Sequence, residues 1–209
     1  MIIGKHHIIF DEITYDREAL AKLFTEVFEP ECVVQYAIRK DWGPEHRNAW
    51  QPGYQAVDVR RIGKTSLVEF PEIKHIVDQF NLPNLMDPND VDILVFDPPY
   101  EFVPHVDFRT TCVIMFPILP EDGGEPLFFW EGEDLIPERR KKYKDLDNKY
   151  FDYSLKYSTA HPNLFNGMVV HSVPPVSQRR VYMKFHVIHN SFEELKMLAQ
   201  AGKLLRGSS

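Results

Sequence analysis

An α+β fold is what this sequence predicts, with a β-sandwich or jelly roll in its second half and helices flanking it on both sides. Three observations carry that expectation. From Val91 onward the chain falls into short β-rich runs separated by Pro and Gly: Val91–Phe96, Phe102–Asp107, Thr110–Pro117, Pro126–Trp130, Leu164–Val173 and Arg179–Ile188. Several strands at such spacing suit a sandwich or jelly roll. Elsewhere, apolar residues recur at the three-and-four spacing of amphipathic helices. Finally, 209 residues with 44% hydrophobic and 13% aromatic content form a folded chain long enough for one full core.

Taken in order, Ile2 to Phe10 reads as a strand. Asp11 to Glu29 then places Leu20, Leu23, Phe24, Val27 and Phe28 on one helical face, with Thr14 or Asp16 as the cap and Pro30 at the end. Cys32–Ile38 is a further strand candidate. The Gly- and Pro-broken stretch from Lys40 to Tyr54 is loop-like, with Trp42 and Trp50 more suited to packing than to a substrate wall. Gln55–Arg61 reads as a strand and Phe70–Phe80 as a helix, with Pro71 in its first turn. The polar, tyrosine-rich interval 131–162 is either a solvated helix plus loop or a lid over a pocket. Phe192–Leu205 closes the chain as a helix capped by Asn190 or Ser191, and Gly207-Ser208-Ser209 is a flexible tail. One domain spanning 1–209 is expected: a helical and strand support region over 1–90, a jelly-roll core over 91–190 with the insertion 131–162, and a C-terminal helix and tail over 191–209.

Composition narrows the function. A formal charge of −7, from 31 acidic and 24 basic residues, gives no broad attraction to phosphate backbones, so nucleic acid is a disfavoured partner. Cys32 and Cys112 are the only cysteines, which fits a reducing compartment better than a disulfide framework. No run of eighteen apolar residues suggests a membrane span, and MIIGKHHIIFDEI is too polar for a signal peptide. A soluble cytoplasmic protein is the expectation.

One stretch carries chemistry. In VDILVFDPPYEFVPHVD, His105 and Asp107 lie two apart, so on a strand their side chains share a face. His171, in VVHSV, stands in a second β-branched run. Two imidazoles and one carboxylate make the facial triad that holds non-haem Fe(II) and leaves other positions open. Among nine histidines a lone H-x-D is more often a surface pair, so the neighbouring residues decide.

Those neighbours resemble the Fe(II)- and 2-oxoglutarate-dependent dioxygenases, in particular the branch similar to prolyl hydroxylases. The run Phe96-Asp97-Pro98-Pro99-Tyr100-Glu101-Phe102-Val103-Pro104-His105-Val106-Asp107 is similar to that branch's first ligand pattern. It departs at Pro99, where the family has Gly, and at Phe96, where a Tyr helps bind the co-substrate; Tyr100 is the candidate substitute. Gly123-Gly124-Glu125 matches a Gly-Gly hairpin after the metal-pair strand. His171-Ser172-Val173-Pro174-Pro175 followed by Arg179-Arg180 matches the distal histidine and a basic residue that salt-bridges the far carboxylate of 2-oxoglutarate. Apolar content alone favours the face of Arg179 as the buried one, whereas spacing from the histidine favours Arg180, which is preferred.

The resemblance covers residues 91 to 188. It implies a double-stranded β-helix (jelly-roll, cupin-like) core, Fe(II) held by His105, Asp107 and His171, and 2-oxoglutarate anchored by Arg180 with a contact from Tyr100. The implied reaction uses dioxygen to hydroxylate a C–H bond of a peptidyl or free amino acid, prolyl among the candidates, releasing succinate and CO2. The partners implied are a small-molecule or peptide substrate and no membrane. Rival readings are a nucleic-acid demethylase of the same superfamily, a non-catalytic jelly-roll binding module, and a zinc hydrolase on the same three ligands. Lys184 and Arg109 are possible anion contacts or surface charges, His161, His186 and His189 read as structural or exposed, and Glu138-Arg139-Arg140-Lys141-Lys142 as a solvated face.

Overall fold

The computed structural model of the protein describes residues 1–30, 54–58, 70–81, 91–107, 110–121, 123–133, 135–137, 151–155, 161–187 and 189–207, with 54–58 and 151–155 as backbone alone. The expected strand Cys32–Ile38, the stretch with Trp42 and Trp50, Arg109, and the basic run that starts at Glu138 lie outside the described residues.

The described strands form two antiparallel sheets. In chain order they are β1 (Ile2–Ile3), β2 (His7–Ile9), β3 (Tyr54–Asp58), β4 (Val91–Phe96), β5 (Phe102–His105), β6 (Cys112–Leu119), β7 (Leu127–Trp130), β8 (Phe151–Leu155), β9 (Asn163–Asn166), β10 (Val170–Val173) and β11 (Arg180–Val187). A seven-stranded sheet runs β1-β2-β9-β6-β11-β4-β3, and a four-stranded sheet runs β5-β10-β7-β8. From β4 to β11 the chain crosses between the two sheets at every step but β7 to β8, the connectivity of a jelly roll, and the expected double-stranded β-helix is present.

The larger sheet is covered on both faces. On its outer face Val181, Met183, Phe185 and Val187 pack in one cluster with residues of three helices: α1 (Arg17–Leu23), α2 (Pro71–Asp78) and α3 (Phe192–Gln200). On its inner face Leu94, Phe96, Met115 and Tyr182 pack with Leu127 and Phe129 of the smaller sheet. Two buried faces explain why β6, CVIMFPIL, is a continuous apolar run without alternation.

Local chemistry sets the element ends. Asp16 caps α1, its Oδ1 accepting the Ala19 N–H at 2.9 Å, while the Thr14 N–H donates to Gln79. The chain then widens into a π-helical turn, Phe24–Phe28, which keeps Phe24 and Phe28 buried. Pro71 opens α2 as expected. Ser191 and Glu194 close a reciprocal capping box on α3.

Three expectations are corrected. The single strand over Ile2–Phe10 is a hairpin, β1 and β2, turning where the Gly4 N–H donates to the His7 carbonyl at 2.8 Å. A Cβ at Gly4 would overlap the His7 ring, so the residue that breaks the strand is also the one that lets the turn close. The run Leu164–Val173 is two strands in different sheets, β9 and β10, divided at a turn through Asn166 and Gly167, where Asn166 Oδ1 accepts the Met168 N–H at 3.0 Å. Within the polar interval 131–162, residues 151–155 are neither helix nor loop. They form β8, which pairs with the edge of β7.

Candidate active site

The two histidines meet because their strands pair. Antiparallel β5 and β10 set His171 opposite His105, with ring centroids 4.4 Å apart. Each Nδ1 lies 2.8 Å from a backbone carbonyl two residues earlier, Val103 O for His105 and Val169 O for His171. A carbonyl only accepts, so Nδ1 carries the proton and Nε2 is left with its lone pair. Burial holds both imidazoles below the usual histidine range, His105 down to about 3 with His171 adding to the effect. Both are therefore neutral at pH 7, the state a metal ligand requires.

Asp107 stands just beyond the end of β5, where its N–H donates to Gly167 O at 2.9 Å. Burial alone raises its carboxyl, but the Lys184 ammonium, followed by His171 and His105, outweighs burial and draws it down to about 2. Lys184 Nζ is 3.5 Å from Asp107 Oδ1. Gly167 forms the other side of the cradle, since a Cβ there would sit 2.8 Å from Asp107 Oδ2.

His105, Asp107 and His171 each offer one ligand atom, and these atoms all lie within 4.8 Å of one another. It is the one such group of three among the described residues. Two neutral imidazoles and an ionised carboxylate on one side of a point fit a divalent first-row ion with open positions. The three side chains border a cavity of about 370 Å³ between the sheets, walled largely by apolar side chains such as Leu94, Phe96, Met115 and Leu127.

Arg180 lines the same cavity and is 1% exposed. Its Nε donates to the Tyr182 hydroxyl at 2.8 Å and its Nη2 donates to the same oxygen; that hydroxyl donates to Gly123 O at 2.6 Å. Glu125 Oε2 is 3.7 Å from Nη1. Gly123 and Gly124 have φ of 76° and 71°, and a Cβ on Gly124 would lie 3.1 Å from Arg180 Nε. The Gly-Gly turn thus makes room for the guanidinium and orients it through Tyr182. Arg179 points the other way, 40% exposed, and pairs with Glu29 and Asp97.

Tyr100 is not brought to this cavity. Its ring stacks on Phe96 at 5.8 Å and meets Phe102 edge-on at 4.9 Å, behind the wall that Phe96 and Phe102 form. The tyrosine hydroxyl that meets Arg180 is instead that of Tyr182. Strand parity could have found it, because Arg180, Tyr182 and Lys184 alternate onto one face. His186 pairs with Asp92 at 2.8 Å, His189 is exposed, and neither they nor His161 join the ligand cluster.

The fold is that of the 2-oxoglutarate-dependent non-haem iron oxygenases. Among solved structures, the chain is similar to the non-haem α-ketoglutarate-dependent carbocyclase SnoK from nogalamycin biosynthesis, at 14% identity and a TM-score of 0.50 over 86% of this chain and 78% of that one. It is similar to HygX from Streptomyces hygroscopicus with nickel, 2-oxoglutarate and hygromycin B bound, at 10% identity and a TM-score of 0.50 over 89% and 84%. A Pseudomonas putida prolyl-4-hydroxylase aligns at 15% identity with a TM-score of 0.44 over 89% and 95%. No family model matches the sequence, and no curated protein matches it significantly. No helix among the described residues is long and apolar enough to cross a membrane.

Proposed function

We propose that this chain is an Fe(II)- and 2-oxoglutarate-dependent dioxygenase in which His105, Asp107 and His171 hold the metal and Arg180 anchors the distal carboxylate of the co-substrate. The observation that carries the reading is the convergence of two neutral imidazoles, an ionised carboxylate and a buried guanidinium on one cavity. When bound, Fe(II) with 2-oxoglutarate supplies dioxygen activation and hydroxylation of a substrate C–H bond, with succinate and CO2 as co-products. The protein supplies the rest. Val103 and Val169 carbonyls fix the histidine tautomers, Tyr182 orients Arg180 for a two-point grip, and the apolar walls limit water around the reacting centre. A binding module would have no use for this donor set, and a zinc hydrolase would leave the buried guanidinium without a role.

For the substrate, the prolyl-hydroxylase-like motif around His105 supports a peptidyl or free amino acid, with a prolyl residue among the candidates. Anaerobic titration with Fe(II) and 2-oxoglutarate tests the class. A weak visible charge-transfer band, absent in His171→Ala and impaired in Arg180→Ala, is expected; tight zinc binding with no such band points to the hydrolase. Succinate release measured against peptides, amino acids and alkylated oligonucleotides then tests the substrate.

A further inference from the structure

We infer that Lys184 is a second anion-binding residue of the cavity, gripping the carboxylate of the 2-oxo acid that lies beside the metal, so that the co-substrate is held by a cation at each end. The inference rests on the 2-oxoglutarate reading above and extends it to a residue that reading does not use.

Arg180 and Lys184 lie four apart on β11, so their side chains emerge on one face with Cα atoms roughly 13 Å apart along the strand. Both line the cavity, at 1% and 15% side-chain exposure. They stand at opposite ends of it. Arg180 abuts the Gly123-Gly124 turn, whereas Lys184 Nζ is 3.5 Å from Oδ1 of Asp107, at the end where the candidate metal ligands meet.

Charge says what the lysine waits for. Among the described residues, the charged side chains bordering the cavity are Asp107, Arg180 and Lys184; Glu125 faces Arg180 at 3.7 Å, which leaves Lys184 with Asp107 as its counter-charge. A largely buried ammonium is tolerated only beside an anion. Asp107, 3.5 Å away, is that anion, but a divalent ion held at the three ligands would take up its charge and leave Lys184 beside a dication. A second anion at the metal end relieves that repulsion, and a 2-oxo acid that chelates the ion brings a carboxylate to that place. Lysine suits this position because its ammonium is a compact charge with three rotatable donors, able to hold Asp107 and an incoming carboxylate together.

The test is calorimetric titration of the full chain saturated with Ni(II), a redox-inert stand-in for Fe(II). Two ligands are compared: 2-oxoglutarate, and oxalate, which reproduces the chelating end and lacks the distal carboxylate. Lys184→Met is expected to weaken both by a similar factor, about tenfold or more, whereas Arg180→Met weakens 2-oxoglutarate and leaves oxalate unchanged. Lys184→Arg, which keeps the charge, is expected to restore binding of both to within a few fold and to separate lost contact from misfolding. If Lys184→Met binds Ni(II) less tightly yet takes both ligands with wild-type affinity once the metal is saturating, Lys184 serves only to hold Asp107 and the inference is overturned. Wild-type protein that binds Ni(II) but no 2-oxoglutarate would overturn the underlying reading as well, and that outcome is read before any variant is made.

Discussion

At the scale of single residues, the site depends on small side chains that leave room for charged ones. Gly167→Ala would set a methyl group 2.8 Å from Asp107 Oδ2, so metal affinity is expected to fall by about ten- to a hundredfold. Titration with Ni(II), alongside a circular dichroism spectrum that stays unchanged, checks this. Tyr182→Phe removes the oxygen that accepts from Arg180 Nε and Nη2, and 2-oxoglutarate affinity is expected to drop about tenfold with the metal still bound. Equal affinity in that variant would show that the guanidinium is held by other means. At this scale the sequence was legible where spacing and chemistry coincide: His105, Asp107 and His171 come together, and Arg180, not Arg179, lines the cavity. It was less legible at the tyrosines. Tyr100 is near the ligand pair in the chain, yet the strand-to-strand path turns it behind Phe96, whereas Tyr182 reaches Arg180 by strand parity.

At the scale of elements, ends and turns were readable when a local side chain made them and hidden when a distant partner did. Ser191 and Glu194 cap α3 from adjacent positions, and Pro71 begins α2. Ser191→Ala is expected to cost about 1 kcal/mol of folding stability, read from the urea midpoint at unchanged slope. By contrast β8, which pairs with the edge of β7, carries only a short alternation, FDYSL, inside a charged interval whose polarity reads as loop or helix. The β1–β2 hairpin carries a pH dependence of its own. His7 is 4% exposed, and burial, with His6 beside it, lowers it from 6.5 to about 4. The unfolded chain therefore binds a proton near pH 6.5 that the folded chain resists until about 4. Its contribution is whole above the unfolded value and is lost as pH falls through that window. Between pH 7 and 4.5 the wild type is expected to lose on the order of 2 kcal/mol more than His7→Gln. Parallel urea profiles for the two proteins would remove the assignment.

For the whole molecule, the jelly roll works as a frame whose larger sheet is buried twice, by helices outside and by the second sheet inside. That double burial made the class of fold readable from continuous apolar runs. It also hid which face of β11 looks inward, because Val181, Met183 and Phe185 are as buried as Arg180 and Tyr182. Apolar content alone would have chosen Arg179. A metal that binds only the folded frame should stabilise it: at a hundredfold excess over Kd the gain is about 2.7 kcal/mol, or roughly 5–10 °C in Tm for a chain of this size. Anaerobic thermal melts with Fe(II) are expected to show that rise in wild type and not in His105→Ala. The most direct measurement is a crystal structure of the protein grown anaerobically with Fe(II) and 2-oxoglutarate. The account predicts one iron on Nε2 of His105, Nε2 of His171 and the Asp107 carboxylate, with the diacid running from the metal to the guanidinium of Arg180. A metal bound elsewhere, or a cavity that excludes the diacid while the three side chains hold zinc, would contradict it.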